Sequence, residues 1–201
     1  NGVEVGEAAF FLDGVEAQGA CDLGNAKIDG QLACAGGKFL AKPLALNCNA
    51  MSTGRTVSLR LGFEAQGEVD LRGAKIGGQL TCTGGKFWAE PTALTCYAST
   101  VGVDAFLING FEAQGKVNLA CAKIGGQLDC QGGKFLAEDA ALDCSGMNVG
   151  ADVLLLNGFE ARGTVDLGRA EIAGDLKMPG AKLGKGLIAS GMRVRAAFIW
   201  Y

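Results

Sequence analysis

Apolar residues along this chain come in pairs separated by a single residue, and the pairs begin mostly five or six residues apart. One stretch shows the pattern: Val57 and Leu59, Phe63 and Ala65, Val69 and Leu71, Ala74 and Ile76, Leu80 and Cys82. Gly85 and Phe87, then Leu94 and Cys96, continue it. Alternate residues of an extended chain share a face, so each pair predicts a very short strand with two side chains turned inward. The Gly, Gln, Thr and charged residues between pairs suit tight corners and outward positions. The pairs are too closely spaced for helices of ordinary length, and a 3.6-residue period is missing.

The pattern recurs. GVEAQG at 14–19 returns as GFEAQG at 62–67 and 110–115 and as GFEARG at 158–163, an interval of 48 residues each time. IDGQL, IGGQL (twice) and IAGDL begin at Ile28, Ile76, Ile124 and Ile172, and GGKF ends at Phe39, Phe87 and Phe135, with GAKL ending at Leu183. Four copies therefore cover nearly all of residues 1–201, which read as one domain. A strand with two inward residues makes no core by itself, but coils of chain stacked about 4.8 Å apart do. Each repeat divides into two coils of about 24 residues with up to four short faces. The fold class expected is all-β: a right-handed parallel β-helix of roughly eight coils, on the order of 40 Å long. Left-handed hexapeptide helices would need coils near 18 residues, and helical repeat arrays would need amphipathic helices.

The strings GEVDLRGAKIGGQLTCTGGKF and GKVNLACAKIGGQLDCQGGKF resemble bacterial β-helical repeat proteins of the pentapeptide-repeat class. The similarity extends over all four copies, although spacings of six and one longer loop depart from the strict five-residue A(D/N)LXX pattern. Some members of that class imitate DNA with an acidic rod and bind type II topoisomerases, which makes an acidic mimic one alternative here. Some sequences of this texture carry a general label of membrane-associated oxidoreductase. No cofactor fingerprint accompanies it here, and no cofactor is expected.

Composition narrows the chemistry. Eighteen basic and 21 acidic residues leave a net charge of −3, without the basic excess of a nucleic-acid-binding surface. Histidine is absent, which removes imidazole bases and ligands from consideration. Only two Trp and two Tyr are available to a carbohydrate-binding or carbohydrate-cleaving β-helix, the other alternative. No apolar run approaches the roughly 18 residues of a membrane span. The opening NGVEVGEAAFFLDG has no basic segment or long apolar core of the secretory type, and Asn1 is not an initiator Met, so a fragment of a longer rod is one reading.

Cys34, Cys82 and Cys130 are spaced by 48, as are Cys48, Cys96 and Cys144. Each follows an inward Leu by two residues and should face the core. The fourth copy replaces the two sets with Met178 and Ala189, and Cys21 aligns with Val69, Val117 and Val165. Sulfur exchanged for apolar groups behaves as a small hydrophobe. CxxC spacing is missing, so buried free thiols are expected over zinc ligands, and with them a reducing, cytoplasmic setting.

Outward positions should form rows. One contains Glu16, Glu64, Glu112 and Glu160, another Lys38, Lys86, Lys134 and Lys182, and two more start at Asp22 and Lys27. After GGKF the chain makes an excursion: LAKPLA from Leu40, WAEPTA from Trp88 and LAEDAA from Leu136. Leu40, Trp88 and Leu136 either form an apolar binding stripe beside Lys38, Lys86 and Lys134, or fold back over the rod. Phe198 and Trp200 align with Val153 and Leu155 as an inward pair, and offer an apolar rod end for self-association. The expected function is a non-enzymatic scaffold or protein-interaction module that displays these rows to a protein partner or to another copy.

Overall fold

The structure, a computed structural model, describes residues 2–201. Among these residues there is no helix, and the inward pairs form very short strands. β1 (Glu4–Val5), β2 (Ala9–Phe10), β3 (Glu16–Ala17) and β4 (Cys21–Asp22) make one coil. Each then pairs in parallel with the strand four places on, which gives four sheets, two of nine strands and two of eight. The chain is a β-solenoid of about nine coils with four faces, numbered 1 to 4 here after β1 to β4. On face 3, Glu16 pairs with Lys38 and Lys38 with Glu64, so a shorter coil alternates with a longer one. Two unequal coils make one sequence repeat.

Packing explains why the repeat is two coils and not one. On face 3 the inward pair is Gly37 and Phe39 in one coil, Phe63 and Ala65 in the next, then Gly85 and Phe87, then Phe111 and Ala113. Two phenylalanines in one coil would crowd that corner, so a large residue always sits over a small one. A Cβ on Gly85 would lie 2.7 Å from the Leu59 carbonyl oxygen and 2.9 Å from the Phe87 ring. The phenylalanines stack into one column, with centroids 5.2–5.4 Å apart from Phe39 to Phe159 and rings tilted by 37–42°. Each tilted pair adds about 0.5–1.5 kcal/mol beyond area burial.

The other faces alternate in the same way. Face 1 sets Ala26 and Ile28 against Met51 and Thr53, then Ala74 and Ile76. On faces 2 and 4 a Leu–Cys pair alternates with a Val–Leu or Ala–Leu pair, as in Leu80 and Cys82 below Ala105 and Leu107, or Leu94 and Cys96 above Val69 and Leu71. Cysteine is thus the small partner that lets a leucine fit in the next coil.

Corners use local chemistry. Between faces 4 and 1, an Asp or Asn side chain accepts the backbone N–H two residues on: Gly24 donates to Asp22, Ala120 to Asn118, Gly168 to Asp166. The third residue after each lies in the left-handed region, at Asn25, Ala50, Cys121 and Arg169 among others. Short polar side chains favour such turns because they replace backbone partners lost at the bend.

Candidate functional site

Face 3 carries the strongest surface pattern. Register places Glu16, Lys38, Glu64, Lys86, Glu112, Lys134 and Glu160 in one outward column. The glutamate row and the lysine row expected from the sequence are therefore a single ladder of alternating sign, one charge per coil. Lys38 donates to Glu16 at 3.2 Å and Lys86 to Glu112 at 2.8 Å. An exposed pair such as Lys38–Glu16 contributes only about 0–1 kcal/mol, so it adds little to stability.

The residues that follow the column form the edge of the excursions. Backbone bonds place Leu40, Gln66, Trp88, Gln114, Leu136 and Arg162 in successive coils. Leu40 and Trp88 are half-buried and Leu136 is 8% exposed, and glutamines separate them. The three apolar residues share one slot in alternate coils, and Leu136 is buried against the rod. Trp88 Nε1–H donates to Glu64 Oε1 at 3.2 Å, and Gln66 Nε2–H donates to the same oxygen at 2.9 Å. The indole is thereby fixed beside the ladder.

The excursions project once every second coil and are held from the coil above. A Cβ on Gly67 would run into the carbonyl oxygens of Ala41 and Pro43, and one on Gly115 into those of Ala89 and Pro91. This close approach accounts for the last glycine of GFEAQG. The next residue's N–H then donates to the excursion: Glu68 to Pro43 at 2.7 Å, Lys116 to Pro91 at 2.9 Å, Thr164 to Asp139 at 2.9 Å. At the tips, Gln114 donates to Glu90 at 3.3 Å and Lys185 to Asp139 at 2.7 Å, which lowers the Asp139 carboxyl below its usual range.

Two clefts result. The first, about 490 Å³, is lined by Lys42, Pro43, Gln66, Trp88, Ala89 and Glu90. The second, about 670 Å³, lies between the second and third excursions and includes Thr92, Gln114, Lys116, Glu138 and Asp139. Each presents an amide floor, a lysine and at least one carboxylate. Sequence reasoning missed Gln66, Gln114, Lys116 and Glu138. Gln66, Gln114 and Lys116 lie one coil above an excursion, a position that depends on register, whereas Glu138 lies within the third excursion itself.

Of the remaining expected residues, Lys38 and Lys134 are exposed and Lys86 is half-buried. Phe198 pairs with Leu176 on face 2, as its alignment implied; it is 48% exposed and Trp200 53%, with their rings stacked at 6.3 Å. All eight cysteines are free. Six are buried, Cys21 is partly so, and Cys121 is exposed. Burial pushes the Cys34 and Cys96 thiols up to about 12 and the other four buried thiols well above their ordinary range. Among the described residues, no group of three potential ligand side chains is placed to hold a metal ion, and no helix is long and apolar enough to cross a membrane. No protein-family model, curated protein or solved structure matches the chain.

Proposed function

We propose that this chain is a non-enzymatic interaction module, a rigid rod that presents the face 3 ladder and the adjoining excursions to a protein partner. The carrying observation is repetition: two neighbouring clefts, one repeat apart, each combine an amide floor, a lysine and at least one carboxylate. A catalytic site is normally one constellation that breaks the surrounding pattern. Fixed charges of both signs favour selection among partners more than raw affinity. The alternation of lysine with glutamate also weakens the acidic DNA-mimic reading, since each Glu has a Lys in the next coil. The sequence resemblance to bacterial pentapeptide-repeat-type proteins and a reducing, cytoplasmic setting belong to the same proposal, supported by four short faces per coil and by buried free thiols. Self-association through the Phe198–Trp200 end is a second mode, and Trp200→Ser should abolish it in light scattering.

Affinity capture from the native source tests the main reading. The protein is compared with a variant carrying Lys86→Glu and Lys134→Glu. A partner enriched by the parent and lost by the variant supports the ladder as the contact surface; equal recovery by both would remove it. A second reading follows from Trp88, whose indole shares the first cleft with Gln66 and Glu90, a suitable wall for a sugar ring. Saturable quenching of Trp88 fluorescence by an oligosaccharide, in a Trp200→Phe background, would favour that reading.

A further inference from the structure

The first cleft is where the repeat pattern breaks. Trp88 stands where the neighbouring repeats have Leu40 and Leu136, and Lys42 where the next two excursions have Glu90 and Glu138. A constellation that departs from an otherwise regular surface marks a specific site. Neighbouring excursions lie two coils apart, about 9.6 Å, which admits one ring layer with a wall on either side. Pro43 from the first excursion and Trp88 from the second supply apolar walls, and the coil between them contributes the Gln66 amide. The polar groups are partly committed and partly free. Gln66 Nε2–H and Trp88 Nε1–H both donate to Glu64 Oε1, which fixes the indole and leaves Gln66 Oε1 to accept. Gln114 donates to Glu90 Oε1 at 3.3 Å and leaves Oε2 open. Lys42 is exposed and takes part in no ion pair, so its ammonium can donate.

We propose that the first cleft binds one residue of an uncharged pyranose oligosaccharide, its ring against Trp88 and a pair of hydroxyls between Lys42 and Glu90. The proposal rests on the sugar-binding reading of Trp88 and narrows the ligand to one charge class. Lys42 and Glu90 are the only charged residues lining the cleft, one of each sign, and they come from opposite excursions. An anionic ring meets repulsion from Glu90 and a cationic ring from Lys42. A hydroxyl both donates and accepts, so adjacent hydroxyls of one sugar satisfy the carboxylate and the ammonium together. The second cleft does not repeat the site. Leu136 is buried, Glu90 and Glu138 place carboxylates on both sides, and Lys116 lies 3.4 Å from Asp143. Binding is therefore one to one. A single pre-fixed aromatic wall and a few hydrogen bonds in an open slot correspond to a dissociation constant on the order of 1 mM.

Heteronuclear NMR of the nitrogen-labelled protein tests this with cellopentaose, laminaripentaose and a β-linked mannopentaose, each raised to about 20 mM. At least one should shift the Trp88 indole and Gln66 amide signals saturably. Pentamers of galacturonate and of glucosamine should bind at least about tenfold more weakly. Trp88→Leu and Lys42→Glu install residues that other repeats carry at these positions, so both variants should keep the β circular-dichroism signal. Trp88→Leu should weaken binding at least about tenfold. Lys42→Glu should weaken it at least about threefold and turn the preference toward the glucosamine pentamer. A charged pentamer bound at Trp88 as well as the neutral ones, or a Lys42→Glu variant with the parent's preference, would overturn the proposal and leave the sugar-binding reading standing. No shift with any pentamer, or equal binding by Trp88→Leu, would overturn both.

Discussion

Individual side chains in this rod are governed by whether they point into the stack or out of it, and a few break the rule instructively. Cys121 takes the left-handed corner position held by Asn25 and Arg169 in other coils, which exposes its thiol, whereas six cysteines lie in the dry interior. Thiolate is the reactive form, so a thiol reagent at pH 8 should modify Cys121 quickly, Cys21 slowly and the other six only on unfolding. Rapid reaction of more than two thiols would contradict the inward placement. Ser99 sits where equivalent coils have Met51 and Met147, and its buried hydroxyl has no hydrogen-bond partner. Ser99→Ala should therefore raise stability by up to about 1 kcal/mol in chemical denaturation. Glu68 has its carboxyl pushed up, first by burial and then by Asp70, with Arg72 opposing. A carboxyl raised in the folded state favours folding most when protonated, and that contribution is lost as pH rises through its folded pKa. Glu68→Gln should accordingly raise the melting temperature at pH 7, with the gain disappearing below about pH 4.

At the scale of strands, the spacing of apolar pairs was enough to locate nearly every strand, because a two-residue strand has only one way to bury its flanking pair. The inward positions of Leu80, Cys82 and Phe87 were legible for that reason. Register was not. The glutamate and lysine rows look separate in the sequence because a GGKF coil and a GFEAQG coil differ in length on face 3, and the excursion takes up that difference. Only the pairing of a Gly–x–Phe coil with a Phe–x–Ala coil brings Lys86 level with Glu64 and Glu112. The same missing register hid the amide floors at Gln66 and Gln114. The phenylalanine column is the element with most at stake: Phe111 is fully buried between Phe87 at 5.3 Å and Phe135 at 5.2 Å. Phe111→Ala should cost about 3–5 kcal/mol, against no more than about 0.5 kcal/mol for an outward change such as Lys123→Ala. Similar losses for the two would mean the column does not form.

For the whole molecule, nearest-neighbour contact between coils makes the solenoid quasi-one-dimensional, with stability accumulating coil by coil. The face 3 ladder is correspondingly translational, with Glu64, Glu112 and Glu160 each about 9.6 Å further along, whereas the excursions change from one repeat to the next, Lys42 giving way to Glu90 and Glu138. The steady climb of two levels per sequence repeat is the claim on which the ladder and the clefts both depend. Pulsed electron–electron spin resonance measures it directly in a Cys121→Ser background, with spin labels on the outward face 1 positions Lys27, Lys123 and Glu171. The 27–123 separation should be about 19 Å and the 27–171 separation about 29 Å, in proportion to the number of coils between them. Distances that failed to grow with that number would contradict the stacked rod.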